Sequence, residues 1–212
     1  MYRPPAFRED RPDHLHAAIR AYPLATLVTH GAGGLSANLL PFLLVTDDAG
    51  ATLLQSHLAR ANPQLADLRA GAEALLIFRG PDAYVSPNWY PTKQENGRVV
   101  PTWNYVTVQA WGVPRVIEDQ GWLRRQIVAL TTQKERGQPL PWSVEDAPAG
   151  FIEGQLKGIA GVEILVDRIE GKWKASQNHP AANRAGVIAG LKADDAASPM
   201  AALMEHLEEQ RD

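Results

Sequence analysis

Residues 24–55, LATLVTHGAGGLSANLLPFLLVTDDAGATLLQ, decide the fold class of this chain. Segments rich in Leu, Val and Thr alternate here with two turn sequences, GAGG at 31–34 and DDAG at 47–50. Large apolar and β-branched residues favour strands, and Gly and Asp tolerate the backbone angles of tight hairpin turns. The stretch therefore predicts antiparallel strands at 24–29, 35–46 and 51–55.

Outward from this stretch, the spacing of apolar residues alternates between the period of strands and that of helices. Further strands are predicted at 74–78, 84–86, 99–117 with a bend at 112–114, and 159–169, with a turn at 171–174 before a last strand piece. Helices are predicted after Asp10, from Asn62 to Gly71, after Asp119, near 151–156, from Asn183 onward and after Ser198. Many antiparallel strands with peripheral helices favour a mainly β fold that forms a barrel or a strongly curved sheet.

The composition is that of a single globular domain covering residues 1–212. Of the 212 residues, 45% are hydrophobic and 21% are charged, and the formal net charge is −3. That charge argues against a strongly basic nucleic-acid-binding protein, since phosphate neutralisation needs an excess of Lys and Arg. The chain has no Cys, no apolar run long enough to span a membrane and no signal-peptide-like start. We therefore expect a cytoplasmic protein without a disulfide framework.

The most informative polar motif is HLARANP at 57–63, which lies between a predicted strand and a predicted helix. Asn62 is a good helix N-cap, and His57 and Arg60 lie beside the free N–H groups of the helix start. Arg presents a fork of donors that matches a phosphate, so the motif indicates an anion site. The alternative is a capped surface helix with an exposed Arg and a half-buried His.

Aromatic and polar residues concentrate in two further stretches, 84–93 and 100–105. Their rings can stack on a planar ligand, and their hydroxyl, amide and ammonium groups can bind its polar edge. The alternative is an aromatic minicore that packs one end of a barrel. The candidate binding residues here are Ser86, Lys93, Trp103 and Asn104.

A third stretch, GKWKASQN at 171–178, combines two cations, an indole and two amides. Its candidate binding residues are Lys172, Trp173 and Gln177, and the alternative is a solvated turn with a packed Trp.

Common nucleotide-binding, metalloprotease and hydrolase motifs are absent from the sequence. His14 and His16 are two positions apart on a predicted helix and make a poor metal pair, so no metal site is predicted.

These motifs together resemble those of the PaiB-like FMN-binding negative transcriptional regulators. The resemblance covers nearly the whole chain and includes YRP at 2–4, YPLATLV at 22–28, HLARANP at 57–63, YVSP at 84–87, WYPTK at 89–93, VPTWNY at 100–105, PW at 141–142, GKWK at 171–174, SQN at 176–178 and GVIAGL at 186–191. It implies an FMN-binding split β-barrel, in a homodimer whose flavin sites lie at the subunit interface.

The resemblance also implies roles for the candidate residues. His57, Arg60 and Asn62 are expected near the flavin phosphate, with Lys93 or Lys172 as a further cation from either subunit. Backbone groups of the strand around Asn38, Leu39 and Leu40 are expected at the polar edge of the flavin. Trp103 and Trp173 are expected to flank the ring or close the pocket.

Regulation is what the family implies, and a flavin-dependent oxidoreductase using NAD(P)H on the same scaffold is the alternative. No residue identifies a catalytic acid or base, and haem or another planar ligand is an alternative occupant. A third hypothesis is a cofactor-free dimeric interaction protein whose aromatic residues only pack.

DNA as a partner follows from the family name alone, because the net charge is negative and no helix-turn-helix is recognisable. The predicted helix at 122–136 carries a local basic set that either contacts phosphate or is an ordinary solvated face: Arg124, Arg125, Lys134 and Arg136.

Overall fold

The computed structural model describes residues 1–210, which group into two compact units. Unit 1 contains residues 1–15, 79–108 and 170–210, and unit 2 contains residues 16–78 and 109–169. The strands are β1 (Arg8–Glu9), β2 (Leu24–Gly31), β3 (Gly34–Pro41), β4 (Leu43–Thr46), β5 (Thr52–Ala59), β6 (Ala74–Val85), β7 (Thr102–Gly112), β8 (Pro114–Ile117), β9 (Ile159–Leu165) and β10 (Arg168–Lys174). The helices are α1 (Pro12–Ala21), α2 (Gln64–Ala70), α3 (Lys93–Asn96), α4 (Gln120–Glu135), α5 (Ala149–Lys157), α6 (Ala181–Asp194) and α7 (Pro199–Glu209), with short 3-10 turns at Pro5–Phe7, Pro87–Trp89 and Val144–Asp146.

Unit 2 is built from antiparallel hairpins, as the turn sequences predict. In the β2–β3 hairpin Gly31 pairs with Gly34, and Gly34 has the positive φ of 92° that favours glycine. Strand β2 also pairs with β6 on its other side. A second sheet has the strand order β4-β5-β9-β8. Helices α4 and α5 pack over an apolar cluster that includes Leu123 and Ile152.

Unit 1 contains β1, residues 170–174 of β10, residues 102–108 of β7 and residues 79–85 of β6, together with helices α6 and α7. Its apolar core includes Tyr90, Val187 and Met204. Gly186 and Gly190 are four residues apart on α6, so they share one helix face, and Trp89 packs directly against that face. A side chain at either glycine would overlap the backbone or the ring of this tryptophan.

The mainly antiparallel fold with peripheral helices confirms the predicted fold class, but two predicted segments are wrong in detail. Residues 35–46 form two strands, β3 and β4, in different sheets. The chain separates them at Phe42, a fully buried ring whose backbone N–H donates to the Pro23 carbonyl. Burial of this ring between the strands overrides the continuous apolar run that predicted a single strand.

The predicted turn at 171–174 is also wrong, because these residues lie inside β10 and Gly171 pairs with Glu9 of β1. The turn lies at Val166 and Asp167, where backbone N–H groups donate to Thr52 and Trp111 carbonyls. The predicted bend at 112–114 is confirmed, since it separates β7 from β8.

None of the helices within residues 1–210 is long and apolar enough to cross a membrane. A single domain over 1–212 stays a prediction.

Candidate functional site

His57 and Arg60 lie at the end of β5 in unit 2. Strand β5 pairs with β9, where His57 is opposite Gly161, and the Arg60 N–H donates to the Gly158 carbonyl at 2.9 Å. His57 Nδ1 is 2.8 Å from Gln126 Oε1 of α4. The Gln126 side chain is buried, and its Nε2 has no hydrogen-bond partner within the described residues. The His57 end of β5 therefore includes an unused buried donor.

Asn62 lies one residue before Pro63, the N-cap of α2, so the predicted helix start is one residue early. Its Oδ1 accepts the Gln64 N–H at 3.0 Å, and Gly71 ends the helix with a φ of 72°. Gln64 is buried and links three elements, since its Nε2 donates to the Leu27 carbonyl and its Oε1 accepts from Asn38 Nδ2 at 2.9 Å. The side chains of Asn62 and Asn38 thus stabilise this corner of unit 2. Sequence reasoning missed Gln64, because nothing local distinguishes a buried amide from an exposed one.

Arg60 forms a basic cluster with Arg69 and Glu118. Arg60 Nη1 lies 3.0 Å and Arg69 Nη2 lies 2.6 Å from the same oxygen, Glu118 Oε1. Hydrogen bonds from Arg69 and Arg60, with their positive charges, lower the pKa of Glu118. The cluster carries two cations and one anion, and its side chains are 37–54% exposed. It is therefore an accessible site with an excess positive charge.

The outer face of β2, β3 and β6 in unit 2 is apolar and partly open to solvent. Leu35 and Leu39 on edge strand β3 are 78% and 63% exposed, whereas Leu40 points to the opposite face and is buried. Half-buried apolar residues continue this outer sheet face on the neighbouring strands, namely Val28, Leu75 and Ile77. A contiguous apolar sheet face of this kind is typical of a protein interface.

In unit 1, three of the four predicted residues of the aromatic stretches are accessible: Lys93 and Trp103 are exposed, and Ser86 is half-buried. Ser86 Oγ accepts the Asn88 N–H at 3.2 Å and caps the short turn that follows β6. Exposed Lys93 bonds to the Asn88 side chain. Trp103 is 55% exposed and packs its ring against the edge of Tyr84, at 6.0 Å between centroids. This part of unit 1 offers an accessible aromatic surface.

Of the predicted residues on β10 and the following loop of unit 1, Lys172 and Trp173 are buried and Gln177 is half-buried. Lys172 is 9% exposed, and its Nζ lies over the rings of Tyr105 and Tyr2 at 5.2 and 5.6 Å. Trp173 is 8% exposed, and Gln177 Nε2 donates to its carbonyl at 2.6 Å. All three side chains are therefore engaged in internal packing.

Unit 1 also contains a cavity of about 380 Å³, which we call the unit 1 cavity. Its lining residues are Phe7, Tyr90, Thr92, Arg98, Val99, Val100, Thr102, Asn104, Lys174, Ser176, Asn178, His179 and Asn183. Of the predicted binding residues, only Asn104 is among them, and its fully buried amide donates to Ser176 Oγ at 3.0 Å. The motifs TWN and SQN signalled this region, but the tertiary structure is needed to show that they face one cavity.

Burial shifts the pKa values of three side chains that line this cavity. Burial and, secondarily, the charge of Lys172 lower the pKa of Lys174. Burial and the charge of Lys174 lower the pKa of His179. Burial raises the pKa of Tyr90, and the nearby Ser176 hydroxyl partly opposes this rise. No hydrogen bond of ordinary geometry joins the Tyr90 and Ser176 hydroxyl groups. The cavity is thus a poorly solvated and positively charged environment.

The fold defines the class of protein, a split β-barrel of the kind found in FMN- and FAD-binding proteins. The FAD and haem binding protein of Mycobacterium smegmatis has a similar structure, with a TM-score of 0.60 at 20% identity over 79% of this chain and 73% of that one. The chain belongs to the family described as "Putative FMN-binding domain", whose model matches residues 1–168. It is 31% identical to the Bacillus subtilis "Protease synthase and sporulation protein PAI 2" over 97% of both chains. A protein of Emericella nidulans is 34% identical over 91% of this chain and 90% of its own.

The residues present fit the phosphate end of FMN. The basic cluster has an excess positive charge, and the buried Gln126 Nε2 beside His57 is a further donor without a partner in the part of the chain that the structure describes. A phosphate ester accepts charge-assisted hydrogen bonds from such donors. The FMN prediction is confirmed at the level of the family.

Proposed function

We propose that this protein is a homodimeric FMN-binding protein of the negative transcriptional regulator type, with the flavin at the subunit interface. The observation that carries the proposal is the basic cluster, in which two guanidinium groups share one carboxylate oxygen. The B. subtilis relative, whose name refers to protease synthesis and sporulation, supports the regulatory part. When bound, FMN supplies a redox-active ring whose state a regulator can sense.

The proposed phosphate site consists of His57, Arg60 and Asn62, extended by Arg69. Each guanidinium has five N–H donors, and the shared bond to Glu118 uses only part of them. A dianionic phosphate is a stronger acceptor than a carboxylate that is already shared by two cations. Arg60 and Arg69 therefore bind the phosphate beside Glu118 or in its place. His57 and Asn62 hold the end of β5 and the start of α2 in position.

The outer sheet face of unit 2 is the proposed dimer interface. Leu35 and Leu39 lie on β3, the last strand of its sheet, where every second residue directs its backbone N–H and C=O away from β2. Burying this face removes apolar area from water, and the edge groups around Asn38 and Leu40 are the proposed contacts of the polar flavin edge. Replacing Leu39 by Glu should shift the protein from dimer to monomer in sedimentation velocity. A variant that stays dimeric would contradict this interface.

The aromatic surface of unit 1 is the proposed wall for the flavin ring. Exposed Trp103 is the proposed stacking residue, and exposed Lys93 and half-buried Ser86 are proposed polar contacts of the flavin. Asn104, Lys172, Trp173 and Gln177 are buried or half-buried, so their proposed role is to support the wall from within.

The visible absorption spectrum tests the flavin proposal. The purified protein should show the absorption bands of bound flavin, or acquire them when FMN is added and excess ligand is removed. A sample that stays colourless in excess FMN would support the cofactor-free interaction protein instead. Regulation is tested by a salt-sensitive gel shift of promoter DNA, which should be lost when Arg124 and Arg125 of α4 are replaced by Gln. Arg79 pairs with Asp82 at 2.8 Å, lies outside α4 and is the control.

The second candidate function is an FMN-dependent oxidoreductase, favoured by the unit 1 cavity. A cavity lined by Lys174, His179 and Tyr90 has groups that can hold or donate protons. Bleaching of the flavin by NADPH, followed by turnover on an added acceptor, would support this function. A flavin that NADPH does not reduce would leave the regulator as the only flavin function.

A further inference from the structure

The unit 1 cavity contains two polar groups with unused hydrogen-bonding capacity. The Tyr90 hydroxyl is buried, on a side chain that is 2% exposed, and has no hydrogen-bond partner among residues 1–210. Lys174 Nζ bonds to Thr102 Oγ1 and to the Trp103 carbonyl, the latter at 2.5 Å. An ammonium group has three donors, and no further bond to Lys174 is found in the described chain. Lys174 is half-buried, whereas the Tyr90 hydroxyl is buried, and a buried hydroxyl is normally satisfied, so its free donor indicates a missing acceptor.

Four other polar side chains of the cavity are paired with one another. Asn104 bonds to Ser176, and Asn183 Nδ2 donates to Thr92 Oγ1 at 2.9 Å. These pairs form a preorganised polar wall. Unused hydrogen-bonding capacity remains on Lys174 and Tyr90, and both line the same cavity.

The charge of the cavity specifies an anion. Its lining includes the cations Arg98 and Lys174, and no Asp or Glu of the described residues lines it. Even partial burial of an ammonium without a counter-charge is unfavourable, and the lowered pKa of half-buried Lys174 is consistent with that cost. An anionic ligand would remove this imbalance.

The remaining surface of the cavity is apolar or aromatic. Phe7, Val99 and Val100 contribute aliphatic and aromatic area, and the Tyr90 ring stacks on His179 at 5.0 Å with an angle of 22° between the planes. Stacked rings present a flat face that favours a planar ligand. The volume of about 380 Å³ is that of a pocket for a small organic molecule.

We propose that the unit 1 cavity binds a small organic carboxylate with a planar apolar body. The carboxylate accepts from Lys174 and from the Tyr90 hydroxyl, with Arg98 contributing charge, and the planar body lies against Phe7 and His179. This site uses none of the residues of the basic cluster. It is accordingly a ligand site in addition to the proposed phosphate site.

Benzoate and its neutral isostere benzamide are the probes that test this assignment. We expect isothermal titration of the full chain, loaded with FMN, to show benzoate binding about tenfold or more tightly than benzamide, the difference made by a charge-assisted bond. Lys174→Met should abolish this preference, and Tyr90→Phe should weaken benzoate several-fold while preserving the stacked ring. Lys192→Met, an exposed lysine of α6 that pairs with Glu205, is the matched control and should bind benzoate as the wild type does.

Several outcomes would overturn the proposal. They are no benzoate binding at millimolar concentration, equal affinity for benzoate and benzamide in the wild-type protein, or unchanged affinity in the Lys174→Met variant. Inorganic phosphate that binds as tightly as benzoate would show a simple anion site without selection for an organic body. Release of FMN by benzoate would show that this cavity holds the flavin instead. The wild-type comparison needs no substitution, so it decides the matter even if Lys174→Met fails to fold.

Discussion

Replacing Arg60 by Ala should weaken FMN binding and leave riboflavin binding nearly unchanged. Arg60 and Arg69 are bonded to the same oxygen of Glu118, so the cluster has a net charge of +1, and the substitution lowers it to zero. A hydrogen bond between charged groups contributes about 1.5–3 kcal/mol. Because the Arg60 side chain is 37% exposed, solvent screening favours the lower end, which corresponds to about a tenfold loss of FMN affinity.

Quenching of flavin fluorescence measures both ligands in the same assay. Riboflavin lacks the phosphate, so its dissociation constant should change by less than about twofold. Arg79→Ala is the matched control, since this arginine pairs with Asp82 in unit 1, outside the cluster. Equal losses for FMN and riboflavin would refute the role of Arg60 in phosphate binding.

The shared carboxylate supplies a test of opposite sign. Glu118→Gln removes the negative charge that competes with a phosphate for Arg60 and Arg69. FMN should then bind more tightly than to the wild type, and the gain should shrink at high salt because the cluster is exposed. Weaker FMN binding by this variant would instead show that Glu118 is needed to hold the arginines in place.

Two further predictions concern the stability of the protein. Gly190→Ala should destabilise the protein by about 1–3 kcal/mol, because the added methyl group meets the Trp89 ring. Gly154→Ala in α5 places its methyl group in open space and should stabilise the protein by about 0.5–1 kcal/mol. Urea unfolding measures the free energy of unfolding of both variants. Burial raises the pKa of Glu9, but hydrogen bonds and charge from Arg11 outweigh burial and lower it below the ordinary 4.5. This carboxylate therefore stabilises the fold above about pH 4.5, and the contribution is lost as the pH falls below that value. Thermal unfolding of Glu9→Gln should show a reduced melting temperature at pH 7 and a smaller difference from wild type near pH 3, and a constant difference would contradict the linkage.

Local structure was predictable because its causes lie within a few residues of each other. The Asp119 side chain accepts the Trp122 N–H at 2.6 Å and starts α4, and Ser198 accepts from Ala201 at the start of α7. Gly71 ends α2 in the left-handed region. A cap or turn depends on one side chain and the next turn of backbone, so the sequence specifies it directly.

The site required the tertiary structure, because its partners are distant in sequence. Glu118 follows β8 and meets Arg60 and Arg69 only because β9 pairs with both β5 and β8. The burial of Lys172 could not be predicted from the sequence either. A lysine in the segment GKWK at 171–174 has the same local sequence whether it faces solvent or two tyrosine rings.

The sequence by itself therefore determined the family, the mainly β fold, the capped helices and the stretches in which binding residues concentrate. Only the tertiary structure decided which of these residues are exposed, which are paired with each other, and that Tyr90, Lys174 and His179 line one cavity. The physical reason is that burial and electrostatic partners arise from long-range strand pairing and packing. Such contacts are set by the three-dimensional arrangement and leave no signal in the neighbouring sequence.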